Sequence, residues 1–195
     1  MSVDPERGSL SVDFLSALTR HVRPVNVVRF SPCGGELLAS GSDDSTVMIW
    51  RLQQGPSSAP SLEEDSLTCA SDVSDVRDRE TWLPVRVLRG HLEDVYDLCW
   101  YQRPAAAAAA STASGSTLPS QFLASSAIDG SVIEWEVLAT PAEVLARNVC
   151  LHREHKHYVQ GVAVDPAGQT LASIANDRYL RIYKVNSCFL NLFYS

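Results

Sequence analysis

Short runs of β-branched and aromatic residues recur along the chain, separated by clusters of Gly, Pro, Asp and Ser. Residues 25–30, 95–100 and 159–164 form one set of such runs, and residues 47–50, 132–135 and 180–183 form a second. Their length and composition predict strands, and no stretch sustains the 3.6-residue apolar period of a long helix. Ser31-Pro32-Cys33-Gly34-Gly35, Asp129-Gly130 and Asp165-Pro166-Ala167-Gly168 supply turns between them. Residues 84–88 and 144–147 are expected as fourth, outer strands.

The same residue types stand at fixed offsets in three copies, which is the mark of a repeat. Six residues before Trp50, Trp135 and Tyr183 stands an aspartate: Asp44, Asp129 and Asp177. Ten residues before stands a serine: Ser40, Ser125 and Ser173. A histidine precedes a valine by four positions each time, as His21, His91 and His155. Ser, His and Asp together raise a hydrolase reading, with Ser125 as nucleophile, His91 as base and Asp129 as its orienter. Two features count against it. A catalytic set is needed once, whereas this set occurs three times with an aromatic in register. No G-x-S-x-G elbow surrounds any of the serines. The expectation is a chain that is not an enzyme and has no catalytic residues.

Composition narrows the classes further. The 195 residues suit one domain or part of one, and 45% hydrophobic content suffices for a core. With 23 acidic against 16 basic residues the formal charge is −7, which argues against direct, sequence-specific nucleic-acid binding. No apolar run approaches the ~18–20 residues that span a bilayer, and no secretory pattern opens the chain, so no membrane association is expected. The five cysteines (33, 69, 99, 150, 188) are scattered and form no CxxC pair. That predicts neither a disulfide framework nor a zinc site, and a reducing compartment. His152-Arg153-Glu154-His155-Lys156-His157 invites a metal, but no neighbouring Cys or Asp is expected to complete a tetrahedral set. Nucleotide-binding loops are absent, so no metal and no cofactor are expected.

Two insertions interrupt the repeats. Residues 55–81 hold seven acidic residues against Arg77 and Arg79, so much of the net charge falls there. A solvated loop is expected, with contact to a basic partner, or phosphorylation at Ser61, as its functional alternative. Residues 103–120, with six consecutive alanines from Ala105 to Ala110, are expected to be low-complexity filler. The organisation is then 1–24 as an outer strand (10–15) of a missing blade plus lead-in, and 25–90 as a blade carrying insertion 55–81. Residues 91–153 follow as a blade carrying insertion 103–120, and 154–195 as a blade with an atypical tail.

The offsets, with the opening Leu88-Arg89-Gly90-His91, resemble the WD-repeat family. The other copies depart from that opening, as Arg20-His21 and Glu154-His155. The resemblance implies an all-β WD-repeat β-propeller, here an incomplete ring of about three four-stranded blades. Propellers close with about 4–8 blades, so the chain is expected to be a piece of a larger ring or to complete one with another chain. It also implies a buried bond network in each blade, running from aspartate to histidine to serine to indole. In the third blade the Tyr183 hydroxyl stands in for the indole N–H.

Local sequence goes further. Phe14-Leu15-Ser16-Ala17-Leu18-Thr19-Arg20-His21 resembles the family of the middle (B) subunit of chromatin assembly factor one. So do Leu88 through Trp100, Glu154 through Val162, and Asn176 through Tyr183. HIRA-type histone chaperones are similar in the same blades. The resemblance implies a non-enzymatic scaffold in the nucleus that supports replication- or repair-coupled nucleosome assembly. Its implied partners are the large subunit of chromatin assembly factor, core histones three and four, and other histone chaperones. The alternatives are a HIRA-type chaperone or a generic WD adaptor. By position, the partner-binding candidates are Asp43, Ile128 and Asn176, each just before a blade aspartate, with Tyr158 and the acidic Glu93 and Asp94.

Overall fold

The computed structural model describes residues 12–32, 34–53, 80–103 and 120–185. Eleven strands and no helix occur among them, and no helix there is long and apolar enough to cross a membrane. They are β1 (Val25–Phe30), β2 (Leu37–Ser42), β3 (Thr46–Gln53), β4 (Thr81–Arg89), β5 (Val95–Tyr101), β6 (Gln121–Ala127), β7 (Val132–Ala139), β8 (Val144–His152), β9 (Val159–Val164), β10 (Thr170–Ala175) and β11 (Leu180–Lys184).

The chain folds as three antiparallel meanders, in which each strand pairs with the one before it. The sheet orders are β1-β2-β3-β4, β5-β6-β7-β8 and β9-β10-β11. The sheets stack face to face as three blades of an incomplete β-propeller. Val27, Ile49, Leu98, Leu123, Ile133 and Trp135 pack between the first and second blades. Tyr101, Phe122, Val132, Val159, Val162 and Leu171 pack between the second and third.

The innermost strands are tied across blades by polar contacts as well. Arg29 of β1 meets Asp97 of β5 at 3.0 Å, and the other oxygen of Asp97 accepts from the Val162 amide of β9 at 3.1 Å. The Trp100 indole donates to the Arg29 carbonyl at 3.0 Å. At the opposite rim Arg51 donates to the Thr140 carbonyl at 2.7 Å, joining the first two blades again.

Two glycines are required by this packing. Gly168 turns β9 into β10 at φ 66°, and a Cβ there would lie 1.8 Å from the Gln102 carbonyl oxygen. Gly41 of β2 faces the second blade, where a Cβ would meet a Val95 methyl at 2.6 Å.

Several sequence expectations shift. The outer strands are longer than 84–88 and 144–147, running over Thr81–Arg89 and Val144–His152. Of the strand expected over 10–15, residues 12–15 are not in a strand, and 10–11 lie outside the described residues. Instead the Leu15 carbonyl accepts from the Glu80 amide beside β4 at 3.1 Å, and Leu18 packs near Trp82. Nearly all of the two insertions, Ser61 among them, and the tail from 187 onward also lie outside the described residues.

Candidate functional site

Each blade carries one interior polar tie built from four elements. The histidine precedes the innermost strand, the serine sits on the second strand, the aspartate lies in the following turn, and the aromatic lies on the third strand. In the first blade the Trp50 indole donates to Ser40 Oγ at 2.8 Å. Ser40 Oγ lies 2.7 Å from His21 Nε2, and His21 Nδ1 lies 2.8 Å from Asp44. One consistent direction satisfies every proton: indole to hydroxyl, hydroxyl to Nε2, Nδ1–H to carboxylate.

The second blade departs at one link. Trp135 donates to Ser125 at 2.9 Å, and Ser125 lies 2.7 Å from His91 Nε2. His91 Nδ1, however, lies 2.9 Å from Ser131 Oγ and 3.5 Å from Asp129. The Ser131 hydroxyl donates on to Asp129 at 2.5 Å, so it relays the tie. In the third blade His155 joins Ser173 at 2.8 Å and Asp177 at 3.0 Å, and Arg181 adds a 2.7 Å bond to Asp177. The Tyr183 hydroxyl has no hydrogen-bond partner among the described residues. Its ring lies against His152 instead, with centroids 4.5 Å apart. The substitution expected of Tyr183 therefore fails, because its hydroxyl does not occupy the position of an indole N–H.

The aspartates owe their placement to the turn. Their Oδ1 atoms accept the amides two residues on, from Thr46, Ser131 and Tyr179, at 3.0, 2.9 and 3.1 Å. Their Oδ2 atoms accept from the residue after each histidine, Val22, Leu92 and Lys156. The intervening Ser45, Gly130 and Arg178 all take positive φ, at 62°, 78° and 66°. Burial would raise the Asp44 carboxyl, but bonds from Thr46, His21 and Val22 outweigh it and bring it to about 2 from an ordinary 3.8. Asp129 and Asp177 are likewise held well below that value against the pull of burial, chiefly by His91 and His155.

These turns share one rim with the loops that enter the innermost strands. In each blade the residue before the aspartate donates its amide to the loop. Asp43 bonds the Pro24 carbonyl at 3.0 Å, Ile128 the Asp94 carbonyl at 2.9 Å, and Asn176 the Tyr158 carbonyl at 3.1 Å. All six sequence-derived rim candidates thus stand on this edge. Glu93 and Asn176 are exposed, while Asp43, Asp94, Ile128 and Tyr158 are half-buried. Asp43 is engaged, accepting from Asn26 at 2.6 Å.

Sequence reasoning missed a second rim set. The pairing of β1 with β2 skips Asn26, that of β5 with β6 skips Tyr96, and that of β9 with β10 skips Gln160. All three lie five residues after a blade histidine and are exposed. A bulge bends the strand and redirects its side chain. Asn26 crosses to the Val95 carbonyl at 3.0 Å, and the Tyr96 and Tyr158 rings pair at 6.3 Å. A constant offset from each histidine was the available signal.

A further cluster lies in the second blade, facing the third. Glu134 of β7 is opposite Cys150 of β8, and His152 follows two residues later. Their donor atoms all lie within 4.8 Å of one another. His152 Nε2 is 2.8 Å from Glu134 Oε1, while Tyr101 and Arg103 donate to Oε2. Burial works to raise the Glu134 carboxyl, yet His152, Tyr101 and Arg103 bring it below its ordinary value. The expectation that no Cys stands ready beside His152 is therefore corrected. The sheet brings Cys150 to its side, with Glu134 from the neighbouring strand.

Comparison with known proteins places these elements in a family context. Residues 1–191 match the family model described as the CAF1B/HIR1 beta-propeller domain. The chain is 39% identical over 180 residues to the B subunit of chromatin assembly factor 1 of Gallus gallus, covering 92% of this chain and 27% of that protein. It is 38% identical over 176 residues to the Mus musculus protein of the same name, covering 90% and 26%. It is 32% identical over 172 residues to "Protein hir1" of Schizosaccharomyces pombe, covering 88% and 15%. The chain thus spans about a quarter of the length of the first two relatives.

Proposed function

Because this chain belongs to the CAF1B/HIR1 β-propeller family, we propose that it is part of a non-enzymatic scaffold for nucleosome assembly in the nucleus. The cargo is core histones three and four, delivered during DNA replication or repair. The large assembly-factor subunit and other histone chaperones are its protein partners. The observation that carries this reading is the family match across nearly the whole chain. Identity is higher to the two vertebrate chromatin assembly factor proteins than to the hir1 protein, which favours the assembly-factor role over the HIRA-type one.

The structure supports a binding role rather than a chemical one at the repeated Ser-His-Asp set. Ser125 is wholly buried, and its Oγ is held between an indole and an imidazole. A substrate carbonyl has no path to it. The rim suits contact instead. The Glu93 and Asp94 carboxylates stand there without a partner among the described residues, beside the Tyr96–Tyr158 ring pair. Acidic rim groups speed and orient the approach of a basic partner.

The test is affinity purification of the tagged chain from nuclear extract of replicating cells, with bound proteins identified by mass spectrometry. Recovery of the large subunit with core histones three and four is expected. Recovery of cytosolic adaptors or ubiquitin-ligase components in their place would overturn the reading in favour of a generic WD adaptor.

A further inference from the structure

We infer that Glu134, Cys150 and His152 form a binding site for a single zinc ion on the face of the second blade that meets the third. The argument begins with strand geometry. Residues two apart on a strand point to one face, and the residue directly opposite on the neighbouring strand points the same way. Cys150 and His152 on β8, with Glu134 facing Cys150 from β7, meet that condition. The result is one sulfur, one imidazole nitrogen and one carboxylate oxygen within 4.8 Å of one another.

The donor set selects the metal. A thiolate with an imidazole favours Zn²⁺ over Mg²⁺ or Ca²⁺, which take oxygen ligands. Zinc bonds of about 2.0–2.3 Å place the ligand atoms of a tetrahedron roughly 3.3–3.8 Å apart, so the observed spacing closes with small side-chain shifts. Thiolate and carboxylate together balance the two charges of the ion. Cys150 and His152 are only half-buried, which leaves an entry path and room for water in the fourth position.

The groups around the carboxylate fit this assignment. Glu134 Oε1 faces His152 and is the oxygen available to the ion. Oε2 is held from the other side by the Tyr101 hydroxyl and by Arg103 at 3.3 Å. Ligating carboxylates are commonly fixed by such outer hydrogen bonds. The His152 ring is braced against Tyr183 of the third blade. Binding replaces the short His152–Glu134 contact with two bonds to the ion and sends the Cys150 thiol proton to solvent. Affinity should therefore weaken as pH falls.

The experiment uses the full chain, reduced and stripped of metal, with Co²⁺ as the spectroscopic probe. One equivalent of Co²⁺ should give the near-ultraviolet thiolate-to-cobalt band of a tetrahedral site, and Zn²⁺ should abolish it. The band should be lost in Cys150→Ala and His152→Ala and kept in Cys99→Ala. Tyr101→Phe should keep the band but weaken binding on the order of 10–100-fold, the range for losing such an outer bond. Zn²⁺ should also raise the melting temperature of the wild-type chain relative to a chelator, a readout that survives if a variant fails to fold. No band with wild type, a band that persists in Cys150→Ala, or an unchanged wild-type melt would each overturn the assignment.

Discussion

Ser125 Oγ lies 2.9 Å from the Trp135 indole nitrogen and 2.7 Å from His91 Nε2, so Ser125→Ala strands two buried polar groups at once. At about 1–3 kcal/mol for each orphaned group, a loss of roughly 2–4 kcal/mol is expected in denaturant unfolding. Asp129→Ala should cost about 1–3 kcal/mol, and less than Asp44→Ala measured the same way. His91 keeps its bond to Ser131, whereas His21 Nδ1 loses the carboxylate that faces it. Fluorophosphonate should label none of Ser40, Ser125 and Ser173. Labelling at Ser125 that Ser125→Ala removes would revive a hydrolase.

The blade aspartates also set the acid limit of the fold. Asp44 sits at about 2 when folded against an ordinary 3.8, and Asp129 and Asp177 are lowered in the same direction. A carboxyl lowered by folding contributes stability that is present above its unfolded value and lost as pH falls through its folded value. The melting temperature should thus hold steady above about pH 5 and drop between about pH 4 and pH 2. At this scale the offsets of Ser40, Asp44 and Trp50, and of their counterparts, were legible because each tie needs those residue types at that spacing. The Ser131 relay and the Arg181 bond were not, since each depends on a side chain with no counterpart in the other blades.

Among the elements, the turn at Gly168 separates two effects that a glycine can serve. Gly35 and Gly168 share a left-handed φ, at 69° and 66°, but a Cβ on Gly35 would meet nothing within 4 Å. Gly35→Ala should cost about 1–2 kcal/mol for conformation alone. Gly168→Ala must also move the Gln102 carbonyl, and should cost clearly more in the same unfolding measurement.

The innermost and third strands were visible from their β-branched and aromatic runs. The second strands were harder, because β2 and β6 are buried at every position and are rich in Ala, Ser and Gly. A strand covered on both faces shows no alternation. The bulges at Asn26, Tyr96 and Gln160 left no local mark either, since a skipped residue is defined by its partner strand.

For the molecule as a whole, equivalent positions compare a covered blade face with an uncovered one. Leu98 is 1% exposed against the first blade, whereas Val28, at the same repeat position, is 51% exposed. Ile49 is 0% exposed beneath the second blade, and its counterpart Ile182 is 67% exposed. Both end faces of the three-blade stack therefore present apolar side chains that the interior junctions bury. Paired substitution of Val28 and Ile182 by Lys should raise the concentration at which light scattering finds the chain monodisperse.

Repeat number and blade type could be counted along the chain. The meeting of Glu134, Cys150 and His152 could not, because it depends on which residue of β7 lies opposite Cys150.

The central functional claim is that the acidic rim of this scaffold receives a basic histone partner. Direct titration of the purified chain with a complex of histones three and four tests it, beside the rim variant Glu93→Lys/Asp94→Lys. Saturable binding is expected, weakening with salt and reduced at least tenfold in the variant, with the fold of both checked by circular dichroism. Absence of saturable binding, or equal binding by wild type and variant, would contradict the account.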